Sequence, residues 1–379
     1  MSTVLSTSAL LPAYARHDVT FVAGRGAWLT DADDKVYLDL LAGIAVVSLG
    51  HCHPAPLAAA RRQLDALWHT SNLYSTEPML RLSDLLSARF GGARAFFCNS
   101  GTEAVEAALK WGRKVTGRPA VVALEASFHG RTHGALAVTG QRAKRAPFEP
   151  LAPAVRFARL NDADSLAESV RADTGVILIE PVQGEGGIHT ADADFLATAR
   201  ALADEHGALL VFDEVQCGAG RTGTFFAWEQ LGVRPDAVVL AKGLANGLPI
   251  GALLVADTLP DGFEPGDHGS TFGGNPVVCA AAAAVVETLD GAVLASVGAR
   301  GAELAGGVAL LPGVVEVRGR GLMVGAQLDR PAAPVVAAAL EAGLLVGAAG
   351  ERVLRLTPPL TITGDEVAAG LALLEEVLT

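Results

Sequence analysis

From about residue 51 to residue 286 the chain alternates short apolar runs with longer helical patterns, and few folds accommodate that alternation. The runs AFFCN, AVVALE, GVILIEPV, ALLVFDEV, AVVLAKG and GALLVA read as buried strands. Between them lie helical patterns such as TEAVEAALKWGRKV and ADFLATARALADEHG, the second ending in a glycine suited to a helix C-cap. Strand and helix in alternation predict a parallel, doubly wound sheet, that is, an α/β fold. The two ends read differently. GAWLTDADDKVYLDL predicts a β-hairpin with an Asp-rich turn, and a long Ala/Val helix follows Asn275-Pro276 before a tail of mixed helices and strands. The expected organisation is a large domain over residues 51–286 and a smaller α+β domain from residues 1–50 and 287–379.

In open α/β sheets, ligands bind at the carboxyl ends of the strands. Three stretches deliver polar groups there. In NSGTEAVEAALKWGRK, directly after AFFC, Ser100 and Glu103 have capping-box spacing, which predicts a helix start with unpaired backbone N–H groups, an anion site. In ALLVFDEVQCGAGRTG a strand runs into Asp213 and Glu214; consecutive residues point to opposite sides, so one of the two acids faces the crevice. In DAVVLAKGLANGLPIGALL the polar exception is Lys242, which either snorkels from a strand end to solvent or is a reactive amine. An anion-binding helix start, a carboxylate and a nearly buried lysine match the phosphate, ring nitrogen and aldehyde of pyridoxal 5'-phosphate. Burial lowers a lysine's pKa and frees the amine for condensation.

Composition narrows the partners. A formal net charge of -12 disfavours a nucleic-acid surface, which needs a clustered basic face. No apolar run of about 20 residues appears and the amino terminus lacks a basic start followed by a long apolar segment, so no membrane span is expected and a cytoplasmic location is. The cysteines Cys52, Cys98, Cys217 and Cys279 lack paired spacing, which argues against disulfides and zinc. His51, Cys52 and His53 in LGHCHP read as a structural turn rather than metal ligands, so no metal is expected. GAGRTG fits a dinucleotide fingerprint but DEVQC separates it from the strand, so it reads as a loop. His129 and His133 flank Arg131 and either line the site or, on the simpler reading taken here, sit on a surface loop.

The motifs LGHCHP, NSGTEAVEAALK, FHGRT, EPVQGEGG, FDEVQCGAGRTG, LAKGLANGLPIGA, HGSTFGGNP, VRGRGLMVG and VLRLTPPL follow one another over nearly the whole chain. In that order they resemble the class III aminotransferases, and most closely the acetylornithine aminotransferases. The resemblance implies a fold-type I homodimer with active sites shared between subunits. It makes Lys242 the Schiff-base lysine, with Gly101 and Thr102 at the cofactor phosphate, Phe128 and Val215 on the two faces of its ring, Asp213 at the ring nitrogen and Gln216 at the phenolic oxygen. It puts Thr271 at the phosphate of the partner subunit's cofactor and Ser270 near that subunit's substrate. Arg131 is expected to hold the α-carboxylate of acetylornithine and the distal carboxylate of 2-oxoglutarate, and Arg355 the α-carboxylate of glutamate, with Glu185 as the partner of Arg355 when acetylornithine is bound. A guanidinium fork suits a planar carboxylate.

The implied reaction moves the terminal amino group of N2-acetyl-L-ornithine to 2-oxoglutarate. Ornithine, succinylornithine, succinyl-diaminopimelate and 4-aminobutyrate are competing donors. An aminomutase is a more distant alternative and an NAD-type dehydrogenase built on GAGRTG lies outside the class. Tyr74, in SNLYSTEP, is a candidate for the substrate entrance.

Overall fold

The computed structural model describes residues 9–152 and 154–379. The reading of the extreme amino terminus, residues 1–8, lies outside them.

All six expected strands form, and they join one seven-stranded sheet in the order Ala93–Cys98, Gly251–Ala256, Ala237–Leu240, Leu209–Asp213, Thr174–Ile179, Ala120–Leu124, Val155–Ala158. The last of these strands was not among the runs read from sequence. Gly251–Ala256 runs antiparallel to both its neighbours, whereas the other pairings are parallel. The exception has a physical cause. Only Ala241 to Ile250 connect Leu240 to Gly251, too short a link for the crossover helix a parallel return requires. Lys242 sits in that link.

Both faces of the sheet are covered, which explains the near-continuous apolar runs. On one face Val105, Ala108 and Trp111 of helix Gly101–Thr116 pack with Val176, Leu178, Val211 and Val239. On the other, Phe195, Leu196 and Ala199 of helix Ala193–His206 lie in a common core with Ile177, Leu210, Phe212 and Val238. Each fully buried Val, Leu, Ile or Phe among these contributes about 1.5–3 kcal/mol of transfer free energy.

The expected hairpin is present as Trp28–Asp31 paired with Val36–Asp39, its turn closed by Asp31 Oδ1 accepting from the backbone N–H groups of Asp33 and Lys35. Val36–Asp39 also pairs in parallel with Leu344–Leu345, so the two ends of the chain share a sheet. A second small sheet carries Val314–Arg320, Met323–Leu328, Val353–Leu356 and Gly347–Ala348. The Ala/Val helix spans Pro276–Thr288, started by Pro276 and capped by the Asn275 side chain, and it packs against helices Pro54–Ala66 and Glu77–Phe90. Among the described residues no single helix is long and apolar enough to cross a membrane.

Candidate active site

Strand direction gathers the site. Six of the seven strands point their carboxyl ends to one rim, and a cavity of about 400 Å³ opens there. Gly101, Thr102, Phe128, Arg131, Glu185, Asp213, Val215, Gln216 and Lys242 line it, joined by His129 and Glu180.

The helix start is built as its sequence requires, with one shift of partner. Ser100 Oγ accepts from the Glu103 backbone N–H, but the Glu103 carboxylate reaches past Ser100 to the N–H of Asn99 at 2.5 Å. The first N–H groups of the helix keep no intrahelical acceptor and face the cavity with its positive dipole end. Gly101 has a steric reason to be glycine: a Cβ there would lie 2.8 Å from Val215 Cγ1. Gly130 has φ +143°, and a Cβ there would meet Thr102 Oγ1 at 2.2 Å. Thr102 Oγ1 is thereby held within 2.8 Å of Thr132 Oγ1, which donates to Glu106.

Alternation along the strand separates the two acids. Asp213 shares a face with Val211 and turns to the cavity; Glu214 shares a face with Phe212 and turns to the opposite core, where it accepts from the backbone N–H groups of Ala227 and Trp228. Burial pushes the Glu214 carboxyl up to about 8, with those two hydrogen bonds pulling the other way. Asp213 Oδ1 accepts from the Val215 N–H at 3.0 Å, and Oδ2 lies 2.7 Å from His129 Nδ1.

His129 corrects the surface-loop reading: it is 3% exposed and its Nε2 has no protein partner. Burial works to lower its pKa, but the bond to Asp213, the charge of Asp213 and that of Glu180 outweigh burial and hold it above the ordinary value. No sequence periodicity marks a histidine in a glycine-bordered loop as buried; its spacing from Arg131 was the only signal. His133 is exposed, as expected, at the start of helix His133–Ala137.

Lys242 follows a strand, at φ +34°, a backbone conformation that costs a non-glycine residue energy and that functional sites retain. Its side chain faces the cavity rather than bulk solvent. Burial, aided by Arg355, lowers its pKa, and the carboxylates of Glu185, Asp213 and Glu180 oppose that shift. Ser48 Oγ donates to the next carbonyl, that of Gly243, and fixes the link.

Arg355 is 3% exposed on the inner strand Val353–Leu356. Its Nη1 donates to Glu185 Oε1, to Gly184 O and to Gln216 Oε1. Burial works to raise the Glu185 pKa, but the Arg355 guanidinium holds it below the usual value. Arg131 is exposed at the cavity mouth, its guanidinium 5.4 Å from the Phe128 ring centroid, and Lys144 lies 5.0 Å from the same ring.

Ser270 and Thr271 do not line this cavity. Ser270 Oγ accepts from Asn99 Nδ2, and Thr271 is exposed beside it. Tyr74 lines a separate cleft with Gly273 and Gly274. Sequence reasoning gave no role to Glu180, which is buried at the end of strand Thr174–Ile179. In LGHCHP, His51 is bonded to Asp39 at 2.8 Å and His53 caps helix Pro54–Ala66, both structural duties. GAGRTG forms turns that open no α-helix, only the short 3-10 turn Ala227–Gln230 following it, and its Arg221 is buried, donating to the carbonyls of Leu322 and Pro358.

A cavity with a helix N-terminus, an aromatic ring, a buried carboxylate and an amine of lowered pKa can hold a flat cationic ring bearing an anion and condense with a carbonyl. Known proteins agree. Residues 13–378 match the family described as aminotransferase class-III. The chain is 50% identical over 370 residues to the acetylornithine aminotransferase of Mycolicibacterium smegmatis, covering 96% of this chain and 95% of that one. Among solved structures, the N-acetylornithine aminotransferase of Stenotrophomonas maltophilia superposes with a TM-score of 0.84 at 37% identity, covering 96% of each chain. The ornithine aminotransferase of Toxoplasma gondii, described with PLP at its active site, does so with a TM-score of 0.93 at 30% identity, covering 98% of this chain and 92% of its own. Matched along nearly all its length in sequence and in fold, this chain belongs to the class-III aminotransferases.

Proposed function

We propose that the chain transfers the terminal amino group of N2-acetyl-L-ornithine to 2-oxoglutarate, giving N-acetyl-L-glutamate 5-semialdehyde and L-glutamate, with pyridoxal 5'-phosphate in the cavity. The observation that carries the reading is the meeting of the Lys242 amine and the Asp213 carboxylate at one rim, beside the start of helix Gly101–Thr116. The residues fit the cofactor. Gly101 and Thr102 offer N–H groups and a hydroxyl for a phosphate, Phe128 and Val215 offer apolar surfaces for its ring, Asp213 a carboxylate for a protonated ring nitrogen and Gln216 an amide for its oxygen. When bound, that group supplies an aldehyde for amine exchange and a ring that takes up electrons.

The chain's own residues then divide the work. Lys242 Nζ, eased toward neutrality by burial, takes the proton from the carbon that bears the donor amine and delivers it one position away. Asp213 would hold the ring nitrogen through its carboxylate, with His129 fixing its second oxygen. Arg131 binds the α-carboxylate of acetylornithine and Glu185 keeps Arg355 occupied; with 2-oxoglutarate, Arg355 turns to the α-carboxylate and Arg131 to the distal one.

Residues 51–286 form the cofactor-binding domain in this reading, and residues 1–50 with 287–379 the smaller one. The pairing of Val36–Asp39 with Leu344–Leu345 supports the second. The enzyme works as a homodimer in which Ser270 and Thr271 serve the partner subunit's site, since neither reaches the cavity of its own chain and exposed Trp68, Leu73, Tyr74 and Phe272 lie near them in sequence or by contact. Its cysteines are all unpaired, which suits the cytoplasm. Ornithine is the second reading for the donor, favoured by the likeness to the Toxoplasma gondii enzyme.

A panel of single half-reactions tests the donor. Loss of the cofactor's visible absorbance is followed with acetylornithine, succinylornithine, ornithine, 4-aminobutyrate and N-succinyl-diaminopimelate, then recovered with 2-oxoglutarate. Acetylornithine should be fastest. A faster rate with any other donor would replace it, and protein that pyridoxal phosphate cannot colour would sink the reading.

A further inference from the structure

Glu180 is a buried carboxylate with no cation at salt-bridge distance, among the described residues. It caps strand Thr174–Ile179, and the pairing of Ile179 with Phe212 puts it beside Asp213 at the same rim. Burial pushes its carboxyl up to about 7, with the Asp213 charge adding to the rise and His129 and two backbone N–H groups opposing it. A group so disfavoured as an anion is retained only where its bonds offset the cost.

Those bonds connect two loops. Oε2 accepts from the N–H of Phe128 at 2.9 Å, and Oε1 from the N–H of Gly184 at 3.1 Å. Phe128 opens the segment that ends in Arg131. Gly184 precedes Glu185, its carbonyl accepts from Arg355 Nη1, and the Gln216 amide packs so tightly on it that a Cβ there would meet that amide at 2.5 Å. One carboxylate therefore ties the Arg131 loop to the peptide against which Arg355 rests.

We infer that Glu180 is a positioning residue that sets the spacing between Arg131 and Arg355, and so the length of dicarboxylic acid the site accepts. The inference rests on the proposal that these arginines grip the two ends of 2-oxoglutarate. A carboxylate suits the task because both its oxygens accept. A glutamine of the same size turns its NH2 toward one of the two N–H groups and releases that loop, and an aspartate is too short to reach both.

Glu180→Gln and Glu180→Asp, prepared as the full chain, test this in two ways. Without cofactor, hydrogen exchange at the amides of Phe128 and Gly184 should speed up about tenfold at one or both in each variant, the effect of one lost hydrogen bond. With cofactor, the ratio of kcat/KM for 2-oxoglutarate to that for oxaloacetate, one carbon shorter, should fall about fivefold or more, through KM rather than kcat. Rescue is expected to be partial in Glu180→Asp, which keeps the charge. Unchanged exchange in both variants overturns the tie, and faster exchange with an unchanged chain-length ratio overturns its role in selection. If the wild-type protein accepts neither 2-oxo acid, the proposed reaction fails while the exchange data still decide the tie.

Discussion

His129 Nδ1 lies 2.7 Å from Asp213 Oδ2, with both side chains sealed from solvent. Replacing the imidazole by leucine fills the space but leaves a buried carboxylate without its partner, so His129→Leu should lose about 3–5 kcal/mol of stability in urea unfolding. The pH dependence follows from the direction of the shift. The folded pKa of His129 stands above its ordinary 6.5, so its stabilising contribution is full below that pH and disappears as pH rises through the raised value. The difference between wild type and variant should therefore shrink as pH climbs from 6 toward 9, and a gap that widens would be evidence against a protonated His129.

His129 also marks where the sequence stops being legible. The six apolar runs foretold six of the seven sheet strands because strands covered on both faces must be apolar on every residue. Asp213 and Lys242 were legible for a related reason: a charge at the end of such a run must sit at the rim where ligands bind. The antiparallel course of Gly251–Ala256 was readable in principle from the short link before it. His129 and Glu180 were not, because their duties depend on which loops meet in space, and neither loop has a periodicity to report it. Glu180 stands in a motif that sequence reasoning used only for Glu185, and its two backbone partners lie 52 residues upstream and four downstream. The capping acid Glu103 was placed within one residue, since Asn99 rather than Ser100 donates to it.

Removing Glu185 should change substrate preference more than stability. Its carboxylate is held ionised by Arg355, and in the proposed mechanism an incoming α-carboxylate must first displace it. Glu185→Ala leaves the guanidinium open, so KM for glutamate should fall about tenfold, an effect of roughly 1.4 kcal/mol. Discrimination against glutamate in favour of an acylated donor should weaken by the same factor. Steady-state kinetics with both donors check this, and an unchanged KM for glutamate would mean that the pair does not gate Arg355.

Glu214 supplies a test remote from the chemistry. Its folded pKa of about 8 exceeds the ordinary 4.5, so its favourable contribution is whole below the ordinary value and is lost as pH rises toward the folded one. Glu214→Gln cannot titrate. Between pH 5 and pH 8.5 the stability of the variant relative to wild type should improve by about 2 kcal/mol, even if its amide forfeits one of the bonds from Ala227 and Trp228. Parallel stability curves would show that Glu214 ionises at its ordinary value.

Lys242 carries the heaviest demand on the proposed mechanism. The substrate carbon must lose a proton to a base within hydrogen-bond reach, and the carboxylates lining the cavity are occupied: Glu185 by Arg355, Asp213 by His129 and Val215, Glu180 by two backbone amides. Lys242→Ala should keep the fold, because the substitution removes no buried pair, and should lower the transamination rate by about 10³-fold or more, near the upper range for loss of a general base. Lys242→Arg should be no better, since a guanidinium stays protonated at the working pH. A small free amine such as methylamine, added to Lys242→Ala, should restore part of the half-reaction rate in proportion to its neutral fraction. Turnover of Lys242→Ala at the wild-type rate would show that another group moves the proton, whereas amine rescue that tracks pH assigns that step to the lost side chain.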